Sequence, residues 1–187
     1  MDSITERIEQ SYSEERKKHT YGVLAAATEL AELYGADPEK IKTAALFHDL
    51  FRGIPAKALD VYVRQLGLPA KYLGNPNLAH SKLAAIAMEK DYGIDDPEIL
   101  DAVRYHTTGR AGMGLLEKIL FLADAIEPGR SYPGVEQLRD LARRNLDLAC
   151  LTALERTIDY VGTKSEYLDP DTLLARDWLK KEEKQHG

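Results

Sequence analysis

The sequence predicts an all-α protein, and three observations carry that expectation. Apolar residues recur at three- and four-residue spacing along almost the whole chain. The dipeptide Asp-Pro stands ahead of such a segment at Asp37-Pro38, Asp96-Pro97 and Asp169-Pro170. Aspartate caps a helix N-terminus, and proline suits the first helical position, where its missing N–H has no role. No segment alternates with period two for long enough to demand a strand.

The first helix is expected from about Glu14 to Tyr34, capped by Ser13 and stopped by Gly35, with Val23, Ala27, Leu30 and Ala31 on one face. Pro38 opens a second, which carries Ile41, Ala44, Ala45 and Leu46 and ends near Gly53. Pro55 starts a short helix to about Leu66, and residues 67–77, with two prolines and two glycines, form a turn region. Further helices run from about Leu78 to Tyr92 and from Pro97 to near Thr107. Gly109, Gly112 and Gly114 make the next connection pliable. Residues 115–126 are apolar on most sides and read as a buried central helix. Helices at 133–144, at 146–160 and from Pro170 onward complete the pattern, the last ending in a solvated tail, KKEEKQHG.

The length of 187 residues suits one domain, 1–187, with the candidate site within about 16–149 and C-terminal helices over 150–187. Lys and Arg number 25 against 31 Asp and Glu, a formal charge of -6. That balance argues against non-specific nucleic-acid binding, and an anionic substrate must meet a local cationic site. The single cysteine, Cys150, excludes an internal disulfide, fits a reducing compartment, and reads as a core residue. The first ten residues lack the apolar core of a signal peptide. No apolar run approaches the roughly 20 residues that span a bilayer. The expectation is a soluble, cytoplasmic protein.

Four histidines and two aspartates concentrate the chemistry. His19 precedes Val23 by one helical turn, and His48 follows Ala44 by one, with Asp49 directly after it. His80 opens a helix whose later residues are apolar, and His106 ends another, three residues after Val103. Asp124 interrupts the apolar run Ile119-Leu120-Phe121-Leu122-Ala123. A carboxylate there is costly to desolvate unless something positive meets it. A buried Arg or Lys is one answer; a metal ion held jointly with imidazoles and Asp49 is the other. Any one of these histidines alone reads as an ordinary core or surface residue. Together they put imidazoles and carboxylates inward from five helices, which is how helical bundles build metal sites.

The order His19, His48-Asp49, His80, His106, Asp124 resembles the HD-domain metal-dependent phosphohydrolases, in the pattern of members that hold two metals. The segments ERKKHTYGV, AALFHDLFR, NLAHSKLAA, VRYHTTGR and KILFLADAIEPGRSYPGVEQLRDLA narrow it further. They resemble the bacterial symmetrical diadenosine-tetraphosphate hydrolase family, from about Arg16 to Ala149. The stretch from ADAIEP through PGVEQLR is the most specific part. One departure stands out: Arg52 occupies a position, three residues after the aspartate of HD, where that family often has Lys.

The resemblance implies an all-α HD-domain helical bundle with two metal ions. His19, His48, Asp49 and Asp124 would hold one, and Asp49 would bridge to a second held by His80 and His106. Asp49, His80 and His106 then form the catalytic set, around a hydroxide shared by the metals. A mixed nitrogen and oxygen donor set suits iron, manganese, cobalt or zinc, and the resemblance favours iron. The implied reaction is hydrolysis of diadenosine tetraphosphate at its middle phosphoanhydride to two ADP. A pocket sized to one diphosphate half would enforce the symmetric cut, with the other half projecting into solvent. The alternatives are another HD phosphohydrolase chemistry on deoxynucleotides, nucleoside monophosphates or cyclic dinucleotides, and a non-catalytic metal- and nucleotide-binding module.

Substrate-facing candidates are Arg16, Arg52, Thr107, Arg110, Arg130 and Arg139. Guanidinium forks suit phosphate, and the Thr107 hydroxyl can hydrogen-bond a phosphate oxygen. Against these stand an exposed loop cation at Arg110 and structural pairs of Arg130 or Arg139 with Glu127 or Glu136. Tyr72, Tyr105 and Tyr132 are candidates to stack on a base. Lys118 reads as solvated, and His186, in the charged tail, has no role. The expected partner is a small-molecule nucleotide, with no nucleic acid and no membrane, and a homodimer is the family-based expectation.

Overall fold

The computed structural model describes residues 2–186, with side chains from 4 to 184. Among these residues the regular structure is helical without a strand. The α-helices are Asp2–Ser11 (α1), Glu14–Tyr34 (α2), Pro38–Phe47 (α3), Ala56–Gln65 (α4), Pro76–Tyr92 (α5), Pro97–Tyr105 (α6), Leu115–Ile126 (α7), Val135–Ala142 (α8), Leu146–Lys164 (α9) and Pro170–His186 (α10). One 3₁₀ turn, Ala70–Tyr72, lies in the turn region before α5.

Local chemistry sets the helix starts. Ser13 Oγ accepts from the Arg16 N–H ahead of α2, and Asp37 Oδ1 accepts from Glu39 and Lys40 ahead of α3. Asp96 does the same for Glu98 ahead of α6. Each such cap contributes about 1 kcal/mol. Gly35 closes α2 in the left-handed conformation, φ 73°.

Helix α7 is the central element, packed by α2, α3, α6, α8 and α9. Its Ile119, Leu120, Leu122 and Ala123 are fully buried. Helices α5 and α6 pair, α9 pairs with α10, and α4 joins α5 over a smaller cluster built on Leu59, Val63 and Leu83. No helix among the described residues is long and apolar enough to cross a membrane.

The structure corrects the sequence reading in four places. Helix α1 was not expected, because only Ile4 and Ile8 mark its apolar face; both are fully buried in the main core. Helix α3 ends at Phe47 instead of near Gly53, so His48 and Asp49 lie on the turn after it. Helix α9 continues past Tyr160 to Lys164. The side chain of His186 lies outside the described residues. Lys118 is not solvated: its Nζ lies 2.6 Å from Asp147 and 5.2 Å from the Trp178 ring centre. Cys150 is buried, as expected, and burial pushes its thiol pKa up.

Candidate metal centre

Six side chains from α2, the ends of α3 and α6, the first turns of α5, and α7 meet at one point. Their ligand atoms fall into two groups, His19–His48–Asp124 and Asp49–His80–His106, each within 4.8 Å. Asp49 faces both. Its Oδ2 lies 3.7 Å from Nε2 of His19 and of His48, while its Oδ1 lies 3.2 Å from His80 Nε2 and 4.0 Å from His106 Nε2.

The helix ends explain how these rings are aimed. The last turn of a helix leaves carbonyls without intrahelical partners. His48 Nδ1 meets the Ala45 carbonyl at 2.7 Å, and His106 Nδ1 meets that of Val103 at 2.8 Å, each three residues back. His80 Nδ1 reaches the Pro76 carbonyl at 3.2 Å, and His19 Nδ1 faces Glu127 Oε1 at 3.3 Å. A carbonyl only accepts, so the three rings bound to carbonyls donate through Nδ1 and present Nε2 inward. The early stop of α3 therefore places His48 and Asp49 where one can bind its own helix and the other can bridge.

This arrangement asks for a cation. His80 and His106 Nε2 stand 3.1 Å apart, and His19 and His48 Nε2 stand 3.4 Å apart. Burial, with the neighbouring His80 and His48, lowers the His106 pKa to about 3, so its ring is neutral and its Nε2 offers a lone pair. Lone pairs at such distances repel unless positive charge lies between them. Two nitrogens each about 2.1 Å from one ion and at a right angle would stand about 3 Å apart. Burial works to raise the Asp49 carboxyl, and the imidazoles of His48 and His80 outweigh it, holding it well below the usual carboxylate range. The donor set and its spacing fit divalent metal ions.

The cation beside Asp124 is Arg130, and the imidazole of His19 stands on its other side. Its Oδ1 lies 3.4 Å from His19 Nε2, and Arg130 Nη2 donates to the same oxygen at 2.5 Å. Arg130 Nε also donates to the Asp124 carbonyl at 2.9 Å.

The cluster opens on a cavity of about 1250 Å³, whose lining includes His19, Asp49, His80 and Asp124. Of the substrate-facing candidates, Arg16, Arg52, Thr107 and Arg130 line it. Thr107 Oγ1 is buried without a hydrogen-bond partner among the described residues. Arg16 stacks over Tyr12 and donates to the Asp49 carbonyl, so it also holds the turn that carries Asp49. Gly53 is needed beside it: its φ is 81°, and a Cβ there would fall 2.8 Å from Arg16 Nη1.

Arg110 and Arg139 do not line this cavity. The buried Glu117 takes Arg110 through two bonds of 2.7 and 2.8 Å, because that carboxylate needs a cation. Arg139 pairs with Glu136 and caps the carbonyls of Ile126, Glu127 and Arg130. Tyr72 and Tyr105 instead line a separate small cavity with Lys82, and Tyr132, which does not line the main cavity, donates to the Ala125 carbonyl.

Sequence reasoning missed two parts of the site. Glu127 was weighed only as an arginine partner, although it orients His19; its place three residues after Asp124, at the end of the same helix, is the signal that could have found it. The cavity wall made by Tyr160, Tyr167, Asp169 and neighbouring residues around the α9–α10 connection carried no signal beyond the Asp-Pro helix start.

Helices, an HD turn and a paired His/Asp cluster define the class, and residues 16–129 match the HD domain family model. The chain belongs to the HD-domain family. It is 40% identical over 173 residues, 92% of this chain and 93% of the relative, to a Bacillus subtilis (strain 168) protein named bis(5'-nucleosyl)-tetraphosphatase, symmetrical. It is 39% identical to a protein of the same name from Halalkalibacterium halodurans, with 95% of each covered. A solved structure from Clostridium acetobutylicum, described as a predicted HD superfamily hydrolase involved in NAD metabolism, is similar with TM-score 0.91 and 38% identity over 97% of each chain.

Proposed function

We propose that this chain is a dimetal hydrolase that cleaves diadenosine tetraphosphate at its middle phosphoanhydride to give two ADP. The observation that carries the reading is Asp49, which turns one oxygen to each of two imidazole groups at the wall of a large cavity. Relatives of this length and identity, named as symmetrical tetraphosphatases, point the same way.

His19, His48, Asp49 and Asp124 would hold one ion, and Asp49, His80 and His106 the other. Bound there, a pair of transition-metal ions supplies Lewis-acid charge to phosphate oxygens and acidifies water. Iron is the favoured occupant, and manganese, cobalt or zinc fit the same donors. Arg16, Arg52 and Arg130 supply the local positive charge that the net charge of -6 makes necessary. The Thr107 hydroxyl, unpartnered among the described residues, would donate to a phosphate oxygen. Water adds across the central P–O–P bridge: its oxygen joins one phosphorus, and the bridging oxygen leaves with its electron pair on the second ADP. A reducing, cytoplasmic setting suits the lone buried Cys150, and a homodimer belongs to the same reading.

The test is product analysis of the metal-loaded protein with diadenosine tetraphosphate, separated by ion exchange. ADP alone is expected. ATP plus AMP would overturn the symmetric cut, and no product with both metals verified by elemental analysis would overturn the substrate.

A further inference from the structure

The cavity is larger than one diphosphate half requires. At about 1250 Å³ it exceeds the roughly 300–1000 Å³ of pockets for single small ligands. Part of its wall is built by the end of α9, the α9–α10 connection and the first turn of α10, next to the turn region that carries Lys71. Two tyrosines lie on this wall, Tyr160 at 60% exposure and Tyr167 at 51%, whereas Tyr72, on the small cavity, is 5% exposed. Lys164 lies 5.7 Å from the Tyr160 ring centre, which still leaves that ring a second face.

Asp169 adds a polar feature on the same wall. Its side chain is fully buried, and its Oδ1 takes Lys71 Nζ at 2.9 Å and the Asp171 N–H at 3.0 Å. Its Oδ2 is buried with no hydrogen-bond partner among the described residues. A buried carboxylate oxygen left unpaired is costly, and a ligand donor relieves that cost. Exposed aromatic faces and an unpaired acceptor on one stretch of cavity wall match a nucleoside, which brings a flat base and N–H or O–H donors.

We propose that this wall is the nucleoside subsite: Tyr160 and Tyr167 stack on a purine base, and Asp169 Oδ2 accepts from a nucleoside donor. This deepens the reading of the cavity as a dinucleoside-polyphosphate site and rests on it. The subsite separates base recognition, at the α9–α10 arm, from phosphate recognition, at the arginines near the metals.

Titration calorimetry of the metal-loaded full chain with ADP and with pyrophosphate tests it. The wild type is expected to bind ADP on the order of tenfold or more tighter than pyrophosphate. The double variant Tyr160→Ala/Tyr167→Ala should lose that preference while its pyrophosphate Kd is unchanged, and the Tyr→Phe pair should keep it. Asp169→Asn, which retains an oxygen to cap α10, should weaken ADP and spare pyrophosphate. Loss of affinity for both ligands alike in the alanine variant, or an ADP preference that survives it, overturns the subsite. Turnover is read separately: failure of the wild type to yield ADP sinks the proposed reaction, while the binding ratio still decides the subsite.

Discussion

Asp49 joins two ligand groups that differ in depth and in what anchors them. On the inner side, His80 and His106 are each 2% exposed, and both rings are tied to carbonyls of their own helices. On the outer side, the side chains of His19 and Asp124 are 19% and 25% exposed. Those two are held by Glu127 and Arg130, from the end of α7 and the turn after it. The inner group is aimed by local backbone and is set once the helices form. In the outer group His48 is buried and tied to its own helix in the same way, but His19 and Asp124 depend on side-chain pairs, and an arginine there shares the carboxylate that an ion would need. His19 and Asp124 are therefore the more adjustable members of the cluster.

The largest effect is expected where the halves meet. Asp49→Ala should strip both ions and abolish turnover; elemental analysis finding two ions per chain would contradict the bridging role. His106→Ala should come next, removing the inner ion and leaving about one metal per chain. Losing several kcal/mol of transition-state stabilisation lowers turnover by about a hundredfold or more. An unchanged rate would dissolve the distinction between the halves.

Glu127→Gln sharpens the contrast, because it acts on the outer side through His19. Removal of such an orienting partner lowers metal affinity about 10–100-fold, and competition with a chelator should show the loss at one ion only. The smallest effect on activity belongs to Arg110→Ala. It leaves the 4%-exposed Glu117 without its main cation, so chemical denaturation should show a loss of about 3 kcal/mol or more. Turnover by the folded fraction should be unchanged, and a selective rise in KM would return Arg110 to the substrate.

The candidate ligand set was legible because its signals are local. His19 and His48 share an apolar face with residues one turn away, and Asp124 stands out against the apolar residues of its own helix. Helix α1 was not legible, since two isoleucines in ten residues make a weak stripe until a core covers them. The end of α3 was misplaced because Leu50 and Phe51 continue the apolar pattern past Phe47.

Caps, the order of helices from α2 onward, the central α7 and the succession of candidate metal-binding side chains were determined by the sequence alone, since each depends on neighbours within a turn or two. Pairing of charges was decided by tertiary structure. His19 meets Glu127 across 108 residues, and Lys71 meets Asp169 across 98. Arg110 and Arg139 had carboxylates as close in sequence as any phosphate role proposed for them. Which partner a cation takes depends on which carboxylate is buried beside it, and burial exists only after the helices have packed.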